Sequence, residues 1–326
     1  MLRPLRSTIR IAAIVAAALM TSTLAAPLGA APALTVVHVG GVFSDDMTPV
    51  FYAVKAGLFR DAGLDVQLVP ATSGNAMTQA VIGGTYEFGK SSILGLINAH
   101  LRNLPLSVIA AGGFYDSRNP FAALCVATDS TITVGGKDLN GKTIGTPALN
   151  DLNQLVVSAW VGEHGGDPST LHFVELPNAV AGPALTAHRV DAAVMLQPIL
   201  ADALAAKQVR SIGNAYDAVG KQFVFAAYFT SPDYAKAHPD IVAKFVRVLY
   251  EAAMYTNRHH GDTATLVADI TNSPLDVISR MPRTDGATKL DPAYFQPVID
   301  AAAKYHLINA PSFPAREMLL NAPGLK

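Results

Sequence analysis

The 326-residue chain has one cysteine, one tryptophan and charged side chains at only 15% of its positions. A single thiol forms no internal disulfide, so an oxidising compartment adds no cross-link to this fold. That thiol, Cys125, sits in the apolar run Phe121-Ala-Ala-Leu-Cys-Val126, the pattern of a buried strand, and is expected to be a core residue rather than a reactive one. There is no basic surplus. The 24 Lys and Arg face 25 Asp and Glu, a formal net charge of -1, which removes the electrostatic footprint of a nucleic-acid binder. Half of the residues are hydrophobic, which excludes a disordered or fibrous chain. Beyond the N-terminal segment no apolar run is long enough to span a bilayer.

The motifs of hydrolytic and metal chemistry are missing too. There is no G-x-S-x-G elbow and no H-E-x-x-H. The only adjacent histidines are His259 and His260, which point apart on a helix and read as a basic helix end. The consecutive acids Asp45 and Asp46 are expected to cap a helix or sit in solvent. No nucleophile, base and orienting group form a set, so no catalytic residue, metal or cofactor is expected, and the protein reads as a non-enzyme. One pattern does match. Gly136-Lys-Asp-Leu-Asn-Gly-Lys-Thr143 fits the P-loop signature at every position. A P-loop needs a strand before the loop and a helix opening at its Lys-Thr. Here a short helical turn at Asp138-Leu139 precedes a β-branched run broken by Gly145 and Pro147, so the order is inverted and nucleotide binding is rejected.

What the chain does have begins with Arg3, Arg6 and Arg10, an apolar stretch, and small residues up to Ala33. This is the three-part pattern of a cleaved export signal over residues 1–33. Its removal takes three Arg from the total and leaves 21 basic against 25 acidic residues, a net charge of -4. No cysteine lies near the cleavage region, so no lipid anchor is expected there. The location read from this is a periplasm.

The rest alternates strand-like runs with helical patterns, which implies α/β layers around mostly parallel sheets. Strands are expected near residues 34–39, 66–69, 86–88, 106–111, 121–126, 172–176, 192–196 and 222–230. Helices are expected to open at Thr48-Pro49, at Ser73-Gly74, and at Ser91 or Ser92. The clearest helix is expected from Asn150, because Leu152, Leu155, Val156, Ala159 and Trp160 form a full apolar stripe. Gly182-Pro183 is expected to shorten the helix before Val190. The C-terminal part reads as helices over residues 240–256, 262–270, 274–281 and 291–306.

Five stretches, in order, resemble the NMT1/THI5-like group of periplasmic binding proteins, which includes sulfonate, taurine, nitrate and thiamine-pyrimidine receptors. They are Pro49 to Phe59 with Ala62-Gly-Leu-Asp-Val66; Gly84-Thr-Tyr-Glu-Phe-Gly89; Asp138-Leu-Asn-Gly-Lys-Thr-Ile-Gly145, which accounts for the P-loop match; Val190-Asp-Ala192 to Pro198; and His238-Pro-Asp240 to Val246. The fungal pyrimidine synthases of the group carry a cysteine cluster, and with Cys125 alone that branch does not transfer. The resemblance implies a two-lobed type II periplasmic-binding-protein fold of α/β class. Lobe one would hold residues 34–118 and 226–326, lobe two residues 119–225, with crossovers at 121–126 and 222–230.

It further implies a Venus-flytrap cleft at strand ends, closing on a small molecule and docking on an ABC permease in the inner membrane, with the receptor a monomer. The expected ligand residues are Phe43, Ser44, Asp45 and Met47 after the first strand; Lys90, Ser91 and Ser92; Gly113 and Phe114; Thr146, Pro147, Asn150 and Asp151; Gln197; and Phe225. Helix N-termini among them favour an anionic or strongly polar ligand end. Lys90 and Asp45 point to opposite ligand charges. The ligand read from the resemblance is a sulfonate- or taurine-like solute. A thiamine pyrimidine precursor, a sensory role and an exported enzyme stand as alternatives.

Overall fold

The computed structural model describes residues 33–319. The expected export signal lies outside them but for Ala33. No described helix is long and apolar enough to cross a membrane.

Two five-stranded sheets carry the fold. The first takes β1 (Thr35–Gly41), β2 (Leu64–Pro70), β3 (Phe88–Ser92) and β4 (Ser107–Ala111), together with β12 (Ala226–Thr230) from much later in the chain, in the order β2-β1-β3-β12-β4. β1 runs parallel to β2 and β3, while β12 enters antiparallel between β3 and β4. The second takes β6 (Ala122–Ala127), β7 (Thr143–Thr146), β8 (His172–Glu175), β9 (Ala192–Leu196) and β10 (Val209–Gly213), in the order β10-β6-β9-β7-β8. A small third sheet pairs β5 (Gly113–Asp116) with β11 (Gln222–Val224) and with β13 (Asp285–Gly286).

The helices bury the apolar faces of these sheets. On one face of the first sheet, Val37, Val39, Phe88 and Tyr228 form a core with Val50 of the helix Thr48–Lys55, Phe59 of Leu58–Asp61 and Phe245 of Pro239–Thr256. The other face shares one continuous core with the second sheet, where Ile93, Leu94 and Ile97 meet Leu124, Ile144, Leu155 and Trp160. Cys125 is fully buried, and burial alone pushes its thiol up to about 12, so it is the inert core thiol expected.

Several local readings shift. Residues 121–126, expected as a crossover, form an interior strand of the second sheet; the chain crosses to that sheet through β5 instead, and returns through β11, inside the expected 222–230 crossover. The run 222–230 breaks at Phe225, whose N–H bonds Gly113 O and whose carbonyl accepts from Ile93 N–H. β3 starts at Phe88 rather than Tyr86, because Gly84, at φ 72°, delays the strand by a turn. The stripe-bearing helix is Leu152–Glu163. It opens on Asp151, not Asn150, which holds the left-handed φ of 55° just before it. The helix Asn178–Thr186 runs through Pro183 instead of ending there. The expected C-terminal helix 291–306 divides into a 3-10 turn, Pro292–Tyr294, and a helix, Gln296–Lys304. The P-loop match is, as read, a 3-10 turn (Gly136–Leu139) followed by a strand.

Candidate functional site

The first edge of the site gathers where β1 and β3 end. β1 stops at Gly41, and the chain turns through Ser44 into a 3-10 turn, Asp45–Met47. Lys90, 7% exposed, reaches under that turn from β3. Its Nζ donates to Asp46 Oδ2 at 2.5 Å and to Ser44 Oγ at 3.3 Å, and Ser44 Oγ donates to Asp46 Oδ1 at 2.5 Å. The expected charge conflict between Lys90 and Asp45 is thereby resolved inside the protein. Lys90 is neutralised by Asp46. Asp45 accepts from Arg283 Nε and from the Thr284 N–H, both at 2.6 Å, so each of its oxygens is engaged. Met47 is fully buried against Phe51 and Leu266 and is a core residue; Phe43 packs edge-on to Phe51 at 5.3 Å and stays half-buried.

Ser91 has another setting. It is 3% exposed and lies between the starts of two helices, Gly74–Ile82 and Ile93–Leu101. A Cβ at Gly74 would stand 2.4 Å from Ser91 Oγ, so the close approach favours glycine there, and one at Gly95 would stand 3.1 Å from it, a tight contact. The helices are capped by Ser73, accepting from Ala76 N–H, and by Ser92, accepting from Gly95 N–H at 3.2 Å. Ser92 is thus the cap and Ser91 is not. The positive ends of two helix dipoles meet beside Ser91.

The second edge is built at the ends of β7 and β9. Thr146 is fully buried and spends its hydroxyl on Ala148 O at 2.9 Å, shaping the turn that carries Pro147 and Asn150. Asp151 Oδ1 caps the next helix by accepting from Asn153 and Gln154 N–H, and its Oδ2 accepts from Asn153 Nδ2 at 2.8 Å. Tyr216 Oη donates to Asn153 Oδ1 at 2.9 Å, completing a chain from phenol to carboxylate. Burial pushes the Asp151 carboxyl up to about 6 against the capping hydrogen bonds, with Glu175 adding repulsion. Tyr216 is pushed well above its ordinary range by burial first, then by Asp151, Tyr115 and Asp46. Acids of both edges therefore act on one phenol. Gln197 accepts from Ala201 N–H at 3.1 Å and holds the start of the following helix.

At the crossover, the Phe225 ring covers Gly113, where a Cβ would lie 2.3 Å from it, and packs against Phe121 at 4.7 Å. Phe114 turns elsewhere. It meets Tyr294 edge-on at 4.9 Å and lines a cavity of about 250 Å³ with Asp116, Arg118, Gln222 and Asp285. A second cavity, about 220 Å³, is lined by Asn119, His260, Met281 and Arg283. None of the other expected ligand residues lines either cavity. We place the candidate site at the strand ends because the buried polar groups converge there, whereas the charged walls of the first cavity are already paired: the Arg118 guanidinium holds Asp116 well below the usual carboxylate range. Among the described residues no group of three or more His, Cys, Asp or Glu is placed to hold a metal ion.

A family model described as NMT1/THI5 like matches residues 44–261. The chain belongs to the NMT1/THI5-like family. A 4-amino-5-hydroxymethyl-2-methylpyrimidine phosphate synthase of Saccharomyces cerevisiae is 23% identical to this family member over 218 residues, 64% of this chain and 62% of the relative. The chain therefore spans less than two thirds of that relative's length. A putative ABC transporter periplasmic binding protein of Brachyspira hyodysenteriae is 28% identical over 162 residues, 46% of this chain and 45% of the relative. The periplasmic aliphatic sulphonate binding protein SsuA of Escherichia coli superimposes with a TM-score of 0.70 at 18% identity, over 87% of this chain and 91% of that one. The fold is that of the periplasmic binding proteins.

Within this NMT1/THI5-like chain, sequence reasoning missed Tyr216, Asn153 and Arg283. Arg283 lies beyond the matched region and pairs across 238 positions, which no local pattern marks. The capping of the Leu152–Glu163 helix did have a signal: Asp151-Leu-Asn-Gln154 has the D-x-x-Q spacing of a capping box, and Gln154 Oε1 accepts from Asn150 N–H at 2.8 Å.

Proposed function

We propose that the protein is the substrate-binding component of an ABC importer, holding a small organic solute of sulfonate or taurine type between the ends of the two large sheets. The observation that carries this reading is Ser91 between two helix starts, with Lys90 already cancelled by Asp46. The acidic end of a ligand then meets helix dipoles and N–H groups, as anions do at helix N-termini. Ser44, Ser91, Asn150 and Asp151 are the polar contacts of this reading, and Phe43 and Phe225 the apolar ones. A ligand that also carries an ammonium group would share the Asp151 carboxylate on the second edge with the helix cap. Residues 34–118 with 226–326 and residues 119–225 act as two lobes that close about β5 and β11. The receptor is exported by its leader to the periplasm without a lipid anchor, works as a monomer, delivers to an inner-membrane permease and turns nothing over.

One observation favours a second ligand. Asp151 is a half-buried acceptor joined to Tyr216 through Asn153, and the aromatic pair Phe121–Phe225 offers a ring face, a setting that also suits an amino-substituted pyrimidine. The curated relative named as a pyrimidine phosphate synthase points the same way. The test is thermal unfolding of the protein against alkanesulfonates, taurine, nitrate and aminopyrimidines. A true ligand at a hundred times its Kd adds about 2.7 kcal/mol, a rise of several degrees for a chain of this size. A rise confined to sulfonates supports the first reading, and one confined to aminopyrimidines supports the second. No rise with any of them removes both.

A further inference from the structure

Residues 283–287 connect two places that are otherwise far apart in the chain. Arg283 is 4% exposed. Its Nε donates to Asp45 Oδ1 at 2.6 Å, its Nη2 to Thr48 Oγ1 at 3.2 Å and its Nη1 to His260 O at 3.1 Å. The Thr284 N–H takes the other Asp45 oxygen at 2.6 Å. Asp45 cannot shift without moving the backbone of this segment, because one oxygen is held by a side chain and the other by the main chain. Directly afterwards, Asp285 and Gly286 pair with Phe114 and Gly113 on β5, and the Ala287 N–H bonds Gly112 O at 2.6 Å. Asn119, on the way from β5 into the second sheet, donates to Arg283 O at 2.6 Å. Asn257 grips Gly286 through both its N–H and its carbonyl.

A continuous path of short contacts therefore runs from Lys90, Ser44 and Asp46, through Asp45, to Arg283 and Thr284, and on to the crossover strand β5. We propose that Arg283 is a positioning residue that couples the Ser44–Asp46 loop to β5, so that whatever settles the loop also sets the crossover. This rests on the reading of that loop as part of a ligand site. Coupling of this kind is reciprocal: a change at the crossover must be felt at the loop with the same free energy. The path has the physical form that such coupling needs, a connected set of hydrogen bonds and a rigid paired strand rather than mere proximity. The Arg283 fork is suited to it, since its Nε, Nη1 and Nη2 reach three separate acceptors in one rigid plane, whereas a lysine gathers its donors on a single nitrogen.

Hydrogen exchange of the full chain, without ligand, tests the coupling directly. In Asp45→Asn, the amides of Gly113, Phe114, Gly286 and Ala287 should exchange at least tenfold faster, while those of β7 keep their wild-type rates. In Arg283→Lys, which keeps the charge and loses the fork, the amides of Met47 and Thr48 should speed up in the same way. If Asp45→Asn alters exchange only within residues 44–48, the coupling is refuted and Arg283 is a local structural partner. Faster exchange in β7 as well would mean general loosening and would equally refute it. A second arm uses the sulfonate or aminopyrimidine that raises the melting temperature. At matched occupancy that ligand should slow exchange at Gly113 and Phe114 in the wild type and do so at least threefold less in Arg283→Lys. Equal slowing in both proteins overturns the coupling. Failure of every ligand in the thermal panel bears on the ligand reading alone, because the exchange experiment on the free protein still decides whether loop and crossover are linked.

Discussion

At the first edge of the site, Lys90 meets Asp46 across 44 positions of sequence and Asp45 meets Arg283 across 238. At the second, Asp151 is satisfied by residues two and three places on, and Thr146 by the carbonyl two places on. Both edges carry buried polar groups, yet one is held by ion pairs between distant elements and the other by helix capping. The first arrangement is fixed only when the whole sheet is assembled, and removing one partner strands a charge in a low-dielectric interior. The second forms with its own helix, and its members can be lost one at a time at modest cost.

The sharpest way to break this contrast is at Lys90. Lys90→Met leaves the Asp46 carboxylate buried without its counter-ion and should cost about 3–5 kcal/mol, read as a lower midpoint in urea. Lys90→Met with Asp46→Leu should recover most of that loss. A single variant within about 1 kcal/mol of wild type would place the pair among weak, solvated ones.

The next effect is a pH dependence on the other edge. The Asp151 carboxyl titrates near 6 in the folded protein against an ordinary 3.8, so the folded chain holds this proton more tightly than the unfolded one. Stability from that group is complete below about pH 4 and is lost as pH rises through 6. Wild type should therefore lose about 2 kcal/mol relative to Asp151→Asn between pH 4 and 7, measured as paired urea curves across the series. A flat difference would mean that the capping hydrogen bonds outweigh burial.

The smallest effect separates two neighbours. Ser92→Ala removes a cap and should cost about 1 kcal/mol without changing ligand affinity. Ser91→Ala should leave stability within about 0.5 kcal/mol and weaken binding several-fold by titration calorimetry. The reverse pattern would exchange their roles.

The same contrast explains what the sequence made legible. The apolar stripe of Leu155, Val156, Ala159 and Trp160 marks a helix because period alone decides it, and all four are buried. The strand 192–196 and the inverted order at the P-loop match are equally local. Around the candidate site, the helix starts were readable where caps define them: Ser73, Ser92 and the turn before Asp151 follow from side chains bonding their own neighbours. Arg283 and Tyr216 were not readable, since their partners are set by tertiary packing. Asp46 and Lys90 were visible as charges but not as a pair. One crossover was misplaced for a related reason: residues 121–126 form a clear apolar run whereas β5 is the four-residue Gly-Phe-Tyr-Asp, and only pairing tells a sheet strand from a connector.

β12 is an interior strand of the first sheet, between β3 and β4, although more than a hundred residues separate it from β4. The strands of the second sheet, by contrast, follow one another without interruption from Ala122 to Gly213. A chain emerging from its N-terminus can pair β1 with β2 and β3 early, but β4 has no neighbour to join until Thr230 has appeared. The second sheet has all its strands before then. Assembly order is thus written into the strand order: the region that carries the Ser44–Asp46 loop is begun first and finished last, and the long loop closure this demands is the slow kind. Until that closure, the edge of β3 stands open, which gives an unfinished chain a defined place at which to be held or to go astray.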